Sequence, residues 1–393
     1  FTERIEKKSK SKMRVFSSLI DQAEVIKVLQ EAVMASRNNS DTTQAMTHAW
    51  LFTGPPGSGR SNAAVAFAAA LVCKEGGCSK CNDCMSTITG SHADVELIKT
   101  EGLSIKIDEI RELISRASWA PSVSNWRVVV IEDADRLTDS AANALLKVIE
   151  EPGLRTVWLL CAPTLTDVLP TIRSRCRHLS LRTPSTKAIS NLLVTRDGVD
   201  PKVADFVARA SGGHIGRARY LATDASAKEN RENILRLPFM LKDIASAFTA
   251  AQVLVESAKK EALTDSEKKD EVEISKLKQA WGSTGSKLVA GGSKAIKELE
   301  KEQKSRSTRM VRDYLDRALL DLATLYRDIL LVQSGSTDSL INQDLTDQIK
   351  KLAASQSPEK TLKKIEAILK ARINLAQNAA PLLLIEALMC ELR

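Results

Sequence analysis

The residues best placed to do chemistry form the glycine-rich stretch GPPGSGRS at 54–61. Gly54, Gly57 and Gly59 let backbone amides wrap around an anion at a helix N-terminus, and Ser61 stands where a hydroxyl would hold magnesium. The apolar stretch HAWLFTG precedes this loop, and RSNAAVAFAAALVC, which has helix-forming composition, follows it. Strand, loop and helix in this order predict a nucleotide site of the phosphate-loop type.

Two departures from the usual residues fall at the chemical positions of that site. Arg60 stands where the loop normally has lysine, and arginine brings a longer, planar fork in place of a compact point charge. Glu132 precedes Asp133 at the end of the apolar run WRVVVIED, the reverse of the usual Asp-Glu order. Because a displacement near 1 Å can cost roughly 100-fold in rate, we expect little ATP turnover here. Whether nucleotide binds unhydrolysed stays open.

Four of the seven cysteines lie in the stretch CKEGGCSKCNDC, as Cys73, Cys78, Cys81 and Cys84. Four thiolates in one short loop satisfy tetrahedral zinc and leave no open ligand position, which predicts a structural metal site. The cluster contains no histidine, which disfavours catalytic zinc. The alternative is a set of unliganded thiols. Since the sequence shows no export feature, disulfides are not expected.

Composition and charge restrict the class of protein. The net charge of +8, from 57 Lys and Arg against 49 Asp and Glu, is compatible with work near nucleic acid but does not demonstrate it. No apolar run reaches the roughly 18 residues of a membrane span. The polar start lacks an apolar signal core, so we expect a cytoplasmic protein and no membrane partner, with residues 1–12 as a disordered tail.

Alternating strand and helix patterns predict the domain organisation. Residues 13–182 read as an α/β core with a parallel sheet and flanking helices, carrying the four-cysteine loop at 73–84. Residues 183–228 read as a small helical lid. Residues 229–393 read as an all-α domain, interrupted at about 257–309 by a segment rich in Lys, Glu, Ser and Gly that predicts a flexible insert.

The order of these motifs resembles the clamp-loader branch of the AAA+ proteins. The resemblance rests on HAWLFTGPPGSGRS, the four-cysteine loop, NALLKVIEEP and LPTIRSRC, and it covers about residues 15–225. Within that branch the chain is most similar to the delta-prime family of the bacterial DNA polymerase III clamp loader, of an actinobacterial type. The resemblance implies a AAA+ core, a lid, and a collar domain that holds a five-subunit ring together.

The resemblance also implies partners and a task. The expected neighbours are ATPase subunits of the gamma/tau type and a delta subunit, with the sliding clamp and primed DNA reached through the assembly during DNA replication. This chain would be the stator, which does not turn over ATP, and its cysteines would bind the family's zinc. Any polymerase activity would belong to the holoenzyme.

Individual residues acquire expected roles from the same resemblance. Arg175 of the Ser-Arg-Cys motif would act as an arginine finger on a neighbouring subunit's ATP. Thr164 is the one residue at 162–164 that could sense a γ-phosphate, and Arg217 lies near the phosphate-contacting position of the lid.

Two other functions compete with this one. The chain could be the ATP-hydrolysing motor subunit of the same loader, which lysine at position 60 and an Asp-Glu order at 132–133 would favour. It could also be a stand-alone DNA-binding protein with a zinc module, whose affinity for DNA would fall steeply with salt.

Overall fold

A parallel five-stranded sheet organises the N-terminal part of the chain. The computed structural model describes residues 13–37, 45–100, 102–280, 292–336, 340–377 and 379–393. The sheet order is β2-β3-β4-β1-β5, and every pairing is parallel. The strands are β1 Ala49–Thr53, β2 Val95–Ile98, β3 Arg127–Ile131, β4 Thr156–Ala162 and β5 Arg177–Ser180.

The central strands are buried on both faces, because helices cover the sheet from both sides. Alternate residues of one strand enter different cores: Trp50 and Phe52 pack in one cluster, and Leu51 packs in the other. Such continuous apolar strands are typical of parallel sheets between helix layers. The helices of this part are α1 Ala23–Arg37, α2 Arg60–Val72, α3 Asn82–Thr89, α4 Ile107–Ala117, α5 Asp139–Glu150 and α6 Pro170–Arg173.

Everything after β5 in the described residues is helical or irregular. The helices are α7 Thr186–Asp197, α8 Pro201–Ala210, α9 Ile215–Thr223, α10 Ala225–Arg236, α11 Ile244–Ala280, α12 Gly292–Gln333, α13 Thr346–Ser355, α14 Pro358–Ala376 and α15 Pro381–Leu392. The predicted α/β core, a parallel sheet with flanking helices followed by helical regions, is therefore confirmed.

Two compact units divide the chain. The first extends to Ala208 and adds Gly213–Ala218, and the second comprises Arg209–Gly212 and Arg219–Arg393. The first unit thus contains the predicted core together with much of the predicted lid. The predicted boundary between lid and collar at residues 228 and 229 stays a prediction. Residues 1–12, predicted to be a disordered tail, lie outside the described residues.

The second unit has one apolar core and a buried polar cluster. Leu315, Leu322 and Tyr326 of α12 lie in that core. Beside it, Arg231 Nε donates to Asp321 at 2.9 Å, and Arg231 Nη2 donates to Asn342 at 2.5 Å. A buried guanidinium needs such partners, since an isolated charge would carry a large desolvation cost.

The segment at 257–309, predicted to be a flexible insert, is helical in its described parts, and its flexibility stays a prediction. Its described parts, 257–280 and 292–309, belong to the long helices α11 and α12. Arg306 of α12 is buried and donates to Asp270 at 2.7 Å and to Glu273 at 2.5 Å, both on α11. The lysine and glutamate content that suggested a linker is also favourable for helices, and this cluster ties the two helices together.

Candidate functional site

The phosphate-type loop joins the end of β1 to the start of α2, next to the end of β4. The amide of Gly54 donates to the carbonyl of Pro163 at 3.1 Å, which fixes the loop against β4. Gly59 is the N-cap of α2 at φ +89°, and Gly57 lies at φ +87°, a region that favours glycine. Ser61 lies in the first turn of α2 and is half-buried. The predicted strand–loop–helix arrangement is present.

Arg60 is turned onto its own loop. Its Nη1 donates to the carbonyl oxygen of Gly54 at 2.8 Å. A lysine at this position would place an ammonium among the phosphates of a nucleotide. Here part of the guanidinium's hydrogen-bonding capacity serves the loop backbone.

The acidic residues after β3 are paired with basic side chains. Glu132 lies 2.9 Å from Nζ of Lys99, and an oxygen of Asp133 lies 3.9 Å from Nε of Arg136. Asp135 is a third acid that the sequence analysis missed. Burial, and then repulsion by Asp133, raise the pKa of Asp135. The signal was present in the run EDAD, where a second aspartate follows two residues after the first.

These charges gather around the end of β4. Because the sheet order is β3-β4-β1, β4 lies between the acids and the loop. Burial is the main cause of the raised pKa of Cys161 in β4, and the fields of Arg60, Glu132, Asp133 and Asp135 also act on its thiol. The structure therefore brings the predicted nucleotide-site residues to one edge of the sheet, as the carboxyl ends of neighbouring parallel strands require.

His214 lies directly against the loop. A Cβ atom added at Gly57 would lie 2.5 Å from Cα and 2.6 Å from Cγ of His214. The Nδ1 of His214 accepts a hydrogen bond of 3.2 Å from the backbone N–H of Arg217. Arg217 is itself buried. No local sequence pattern encodes the contact between Gly57 and His214, which are more than 150 residues apart in the chain.

Thr164 makes local contacts at the end of β4. Its amide donates to Asp167 at 2.9 Å, and its hydroxyl lies 2.8 Å from that of Thr166. These contacts cap the turn at Leu165–Asp167. The side chain expected to sense a phosphate is thus engaged in its own turn.

Arg175 follows α6 and is 41% exposed. Its Nε and Nη2 both lie 2.5 Å from Oε1 of Glu150, the last residue of α5. Its Nη1 donates to the carbonyl of Thr171 at 2.9 Å. Glu150, which the sequence analysis did not single out, therefore orients the guanidinium at the surface.

The four predicted metal ligands come together. The Sγ atoms of Cys73, Cys78, Cys81 and Cys84 all lie within 4.8 Å of one another. The Cys73 sulfur is 3.8 Å from that of Cys78 and 3.6 Å from that of Cys81. Tetrahedral zinc with bonds of about 2.3 Å requires sulfur–sulfur separations of about 3.8 Å, so the cluster fits zinc.

Backbone amides add to this fit. The Cys81 amide donates to the Cys78 sulfur at 3.3 Å, and the Cys84 amide donates to the Cys81 sulfur at 3.4 Å. Hydrogen bonds from the amides of Lys80 and Cys81 lower the pKa of the Cys78 thiol to about 7, whereas burial raises the pKa of the Cys81 and Cys84 thiols. Amide donors of this kind favour the thiolate, which is the form that binds a metal.

Comparison with known proteins connects both ends of the chain to one family. The protein-family model described as "DNA polymerase III, delta subunit" matches residues 29–185. A second family model, "DNA polymerase III, delta subunit, C terminal", matches residues 311–393. The DNA polymerase III subunit delta' of Bacillus subtilis is 30% identical over 354 residues, which cover 89% of this chain and 92% of that protein.

Two further relatives match half of the chain or less. The DNA polymerase III subunit delta' of Pseudomonas aeruginosa is 35% identical over 36% of this chain and 45% of its own length. The DNA polymerase III subunit gamma/tau of Mycobacterium tuberculosis H37Rv is 33% identical over 50% of this chain and 35% of its own length. The match that extends over nearly both whole chains is the decisive one: this chain belongs to the DNA polymerase III delta-prime family.

Proposed function

We propose that the chain is the stator subunit of a replicative clamp loader. It would act in the cytoplasm, in a five-subunit ring with ATPase subunits of the gamma/tau type and a delta subunit, and help place the sliding clamp on primed DNA. The observation that carries this proposal is the match to a delta-prime subunit over 89% of the chain. The separate match at 311–393 supports a C-terminal collar domain.

The geometry of the nucleotide-type site supports a subunit without ATP turnover of its own. Arg60 donates to the loop carbonyl of Gly54, and Glu132 is paired with Lys99. His214 lies on the loop at Gly57. A nucleotide would have to compete with each of these contacts. Hydrolysis would then require a magnesium ligand and a water-activating base from acids in the reversed order.

The surface at Arg175 supports a role in trans. A finger arginine must keep free N–H groups for the developing charge on a phosphate. The contacts of Arg175 to Glu150, Thr171 and Ser174 engage all three guanidinium nitrogens, so a neighbour's phosphate would have to displace part of them. The support for the role is that the side chain is 41% exposed and can be reached from a neighbouring subunit. Such a residue can stabilise the transition state on a neighbouring subunit, an effect worth roughly 10³- to 10⁵-fold in rate.

Zinc would complete the four-cysteine loop. We propose that Cys73, Cys78, Cys81 and Cys84 hold one structural zinc ion. The metal would supply folding energy to the loop between α2 and α3, and it would leave no position open for a substrate.

Clamp loading tests the function of the whole chain. A sliding clamp, primed circular DNA, ATPase and delta subunits are mixed with or without this chain, and clamp on DNA is measured after gel filtration. We expect loading only when the chain is present. Equal loading without it would refute the proposal.

ATP hydrolysis by the isolated chain separates the stator from the motor alternative. We expect the wild type to show no turnover above background. A rate comparable to that of the isolated ATPase subunit would establish the motor instead. The triple variant Arg60→Lys, Glu132→Asp, Asp133→Glu restores the usual residue types and serves as the comparison.

A further inference from the structure

A cavity of about 440 Å³ lies at the edge of the sheet opposite the nucleotide-type loop. It is bordered by the end of α2 and by the residues just before β3 and β4. Since α2 begins at the loop and has 13 residues, its two ends are about 20 Å apart. The lining residues that matter are Arg37, Leu71, Lys74, Val123, Trp126 and Arg155.

The charged side chains that line the cavity are all basic. Of the residues that the structure describes, Arg37, Lys74 and Arg155 line the cavity, and no carboxylate does. Among the described residues, none of these three cations forms an ion pair with an acid. Arg37 is held in place by donating to the carbonyl of Lys74. Arg155 is exposed and lies at φ +58°, in a region that non-glycine residues seldom adopt.

Part of the wall is apolar and partly open, and it lies beside the polar residues Ser36, Ser124 and Asn125. Val123 is 64% exposed, and it lies beside Leu71 and the half-buried Trp126. The turn that carries Val123 is fixed by Asp94, whose carboxylate accepts from the amides of Ser122, Val123 and Ser124 at 2.6–2.8 Å. An exposed apolar wall on a rigid turn is a preformed contact surface.

The combination of an apolar wall and unpaired cations selects the ligand class. Nucleic-acid strands bind by stacking bases on exposed aromatic faces. Here the exposed apolar group is an aliphatic valine, and the single indole is half-buried. A ligand that carries carboxylates beside a bulky apolar side chain complements both the basic and the apolar residues of the wall.

We propose that this cavity binds an acidic peptide segment of a partner protein. Its apolar residue would pack on Val123 and Trp126, and its carboxylates would pair with Arg37, Lys74 and Arg155. The site is separate from the nucleotide-type loop and from Arg175, so the proposal does not depend on the proposed hydrolysis mechanism.

Fluorescence anisotropy with the full chain tests this proposal. The probe is a short labelled peptide with aspartates on either side of one phenylalanine. We expect saturable binding that weakens about five-fold in Arg37→Ala, Lys74→Ala or Arg155→Ala, the effect of an exposed ion pair at the upper end of its range. The control Arg196→Ala, an exposed arginine of α7 outside the cavity, should bind as the wild type does.

Probe variants separate the outcomes. Replacing the aspartates by asparagine, or the phenylalanine by alanine, should each weaken binding. Val123→Asp should weaken it as well, with an unchanged melting temperature because the side chain is exposed. The proposal would be overturned if the wild type did not bind the peptide, or if the three cation variants bound it as tightly as the wild type does. Loss of oligothymidylate binding in those variants, without loss of peptide binding, would assign the cavity to nucleic acid and also overturn it.

Discussion

Gly57 and His214 are in such close contact that a methyl group on the glycine would lie 2.5 Å from Cα of the histidine. The loop that would wrap a phosphate and the segment after α8 therefore form one packed unit. We expect this contact to restrict rearrangement of the loop around a bound phosphate. This arrangement agrees with a subunit whose own site is not the motor.

Alanine substitutions at two loop glycines measure that contact. Gly57→Ala should destabilise the fold by about 3 kcal/mol or more, from a strained positive φ and overlap with His214. Gly59→Ala shares the positive φ but meets no atom within 4 Å, so it should cost only about 1 kcal/mol. Urea unfolding gives both values. Equal costs would show that His214 does not press on the loop.

Zinc content tests the four-cysteine cluster. The purified chain should contain one zinc per molecule by atomic absorption, and Cys78→Ser should contain none. The loss should lower the melting temperature, because metal binding contributes folding free energy. Cys390→Ser, at an exposed cysteine outside the cluster, is the control. Full zinc occupancy in Cys78→Ser would contradict the assignment.

Local motifs made much of this site predictable. The glycine spacing, the acids after an apolar run and the cysteine spacing each require only neighbouring residues, and the structure groups them as expected. The contacts that explain why the site is altered are not local. His214 contacts Gly57 across more than 150 positions of the chain. Glu150 contacts Arg175 although β4 and α6 lie between them in the sequence. No periodicity in the sequence encodes such pairs.

The segment at 257–309 shows where composition is compatible with two kinds of structure. Residues 257–309 have the charge content of a linker, but Arg306 meets Asp270 and Glu273 at 33 to 36 positions' separation. Those contacts stabilise a pair of long helices. Lysine and glutamate are frequent both in helices and in solvated, disordered segments, so composition alone could not separate the two.

Asp94 should make stability depend on pH in acid. Burial would raise its pKa, but amide and hydroxyl donors from Ser122, Val123 and Ser124 outweigh burial and hold that pKa well below its usual range. The stabilisation is complete above the unfolded-state pKa of about 3.9 and is lost as pH falls towards the lower folded-state pKa.

Replacement of this carboxylate makes the pH dependence measurable. Asp94→Asn should lower the free energy of unfolding by about 3 kcal/mol at pH 7, because buried amide donors lose a charged acceptor. The difference from wild type should be the same at pH 5.5 and shrink by about 1 kcal/mol at pH 3. Urea titrations at the three pH values provide the data. A difference independent of pH would refute the ionised hydrogen-bond cluster.

The exposed apolar residues of α14 test the collar assignment. Leu362, Leu369 and Ile373 recur at helical spacing, and Ile373 is 59% exposed. Ile373→Asp should weaken ring assembly in sedimentation velocity while leaving the chain folded. Leu263→Asp changes a similarly exposed residue of α11 that lies outside both family matches, and it should assemble normally. Normal assembly of Ile373→Asp would count against α14 as a ring contact.

Among the described residues, no helix in either unit is long and apolar enough to cross a bilayer.

We propose above that this subunit contributes chemistry to a neighbour's site instead of its own. It is tested by the amplitude of the pre-steady-state phosphate burst in the assembled loader, with Arg175→Ala and Arg60→Ala compared. We expect Arg175→Ala to remove the burst of one site, because hydrolysis there slows roughly 10³-fold or more, while Arg60→Ala keeps the full burst. A full burst with Arg175→Ala, or loss of one site's burst with Arg60→Ala, would contradict it.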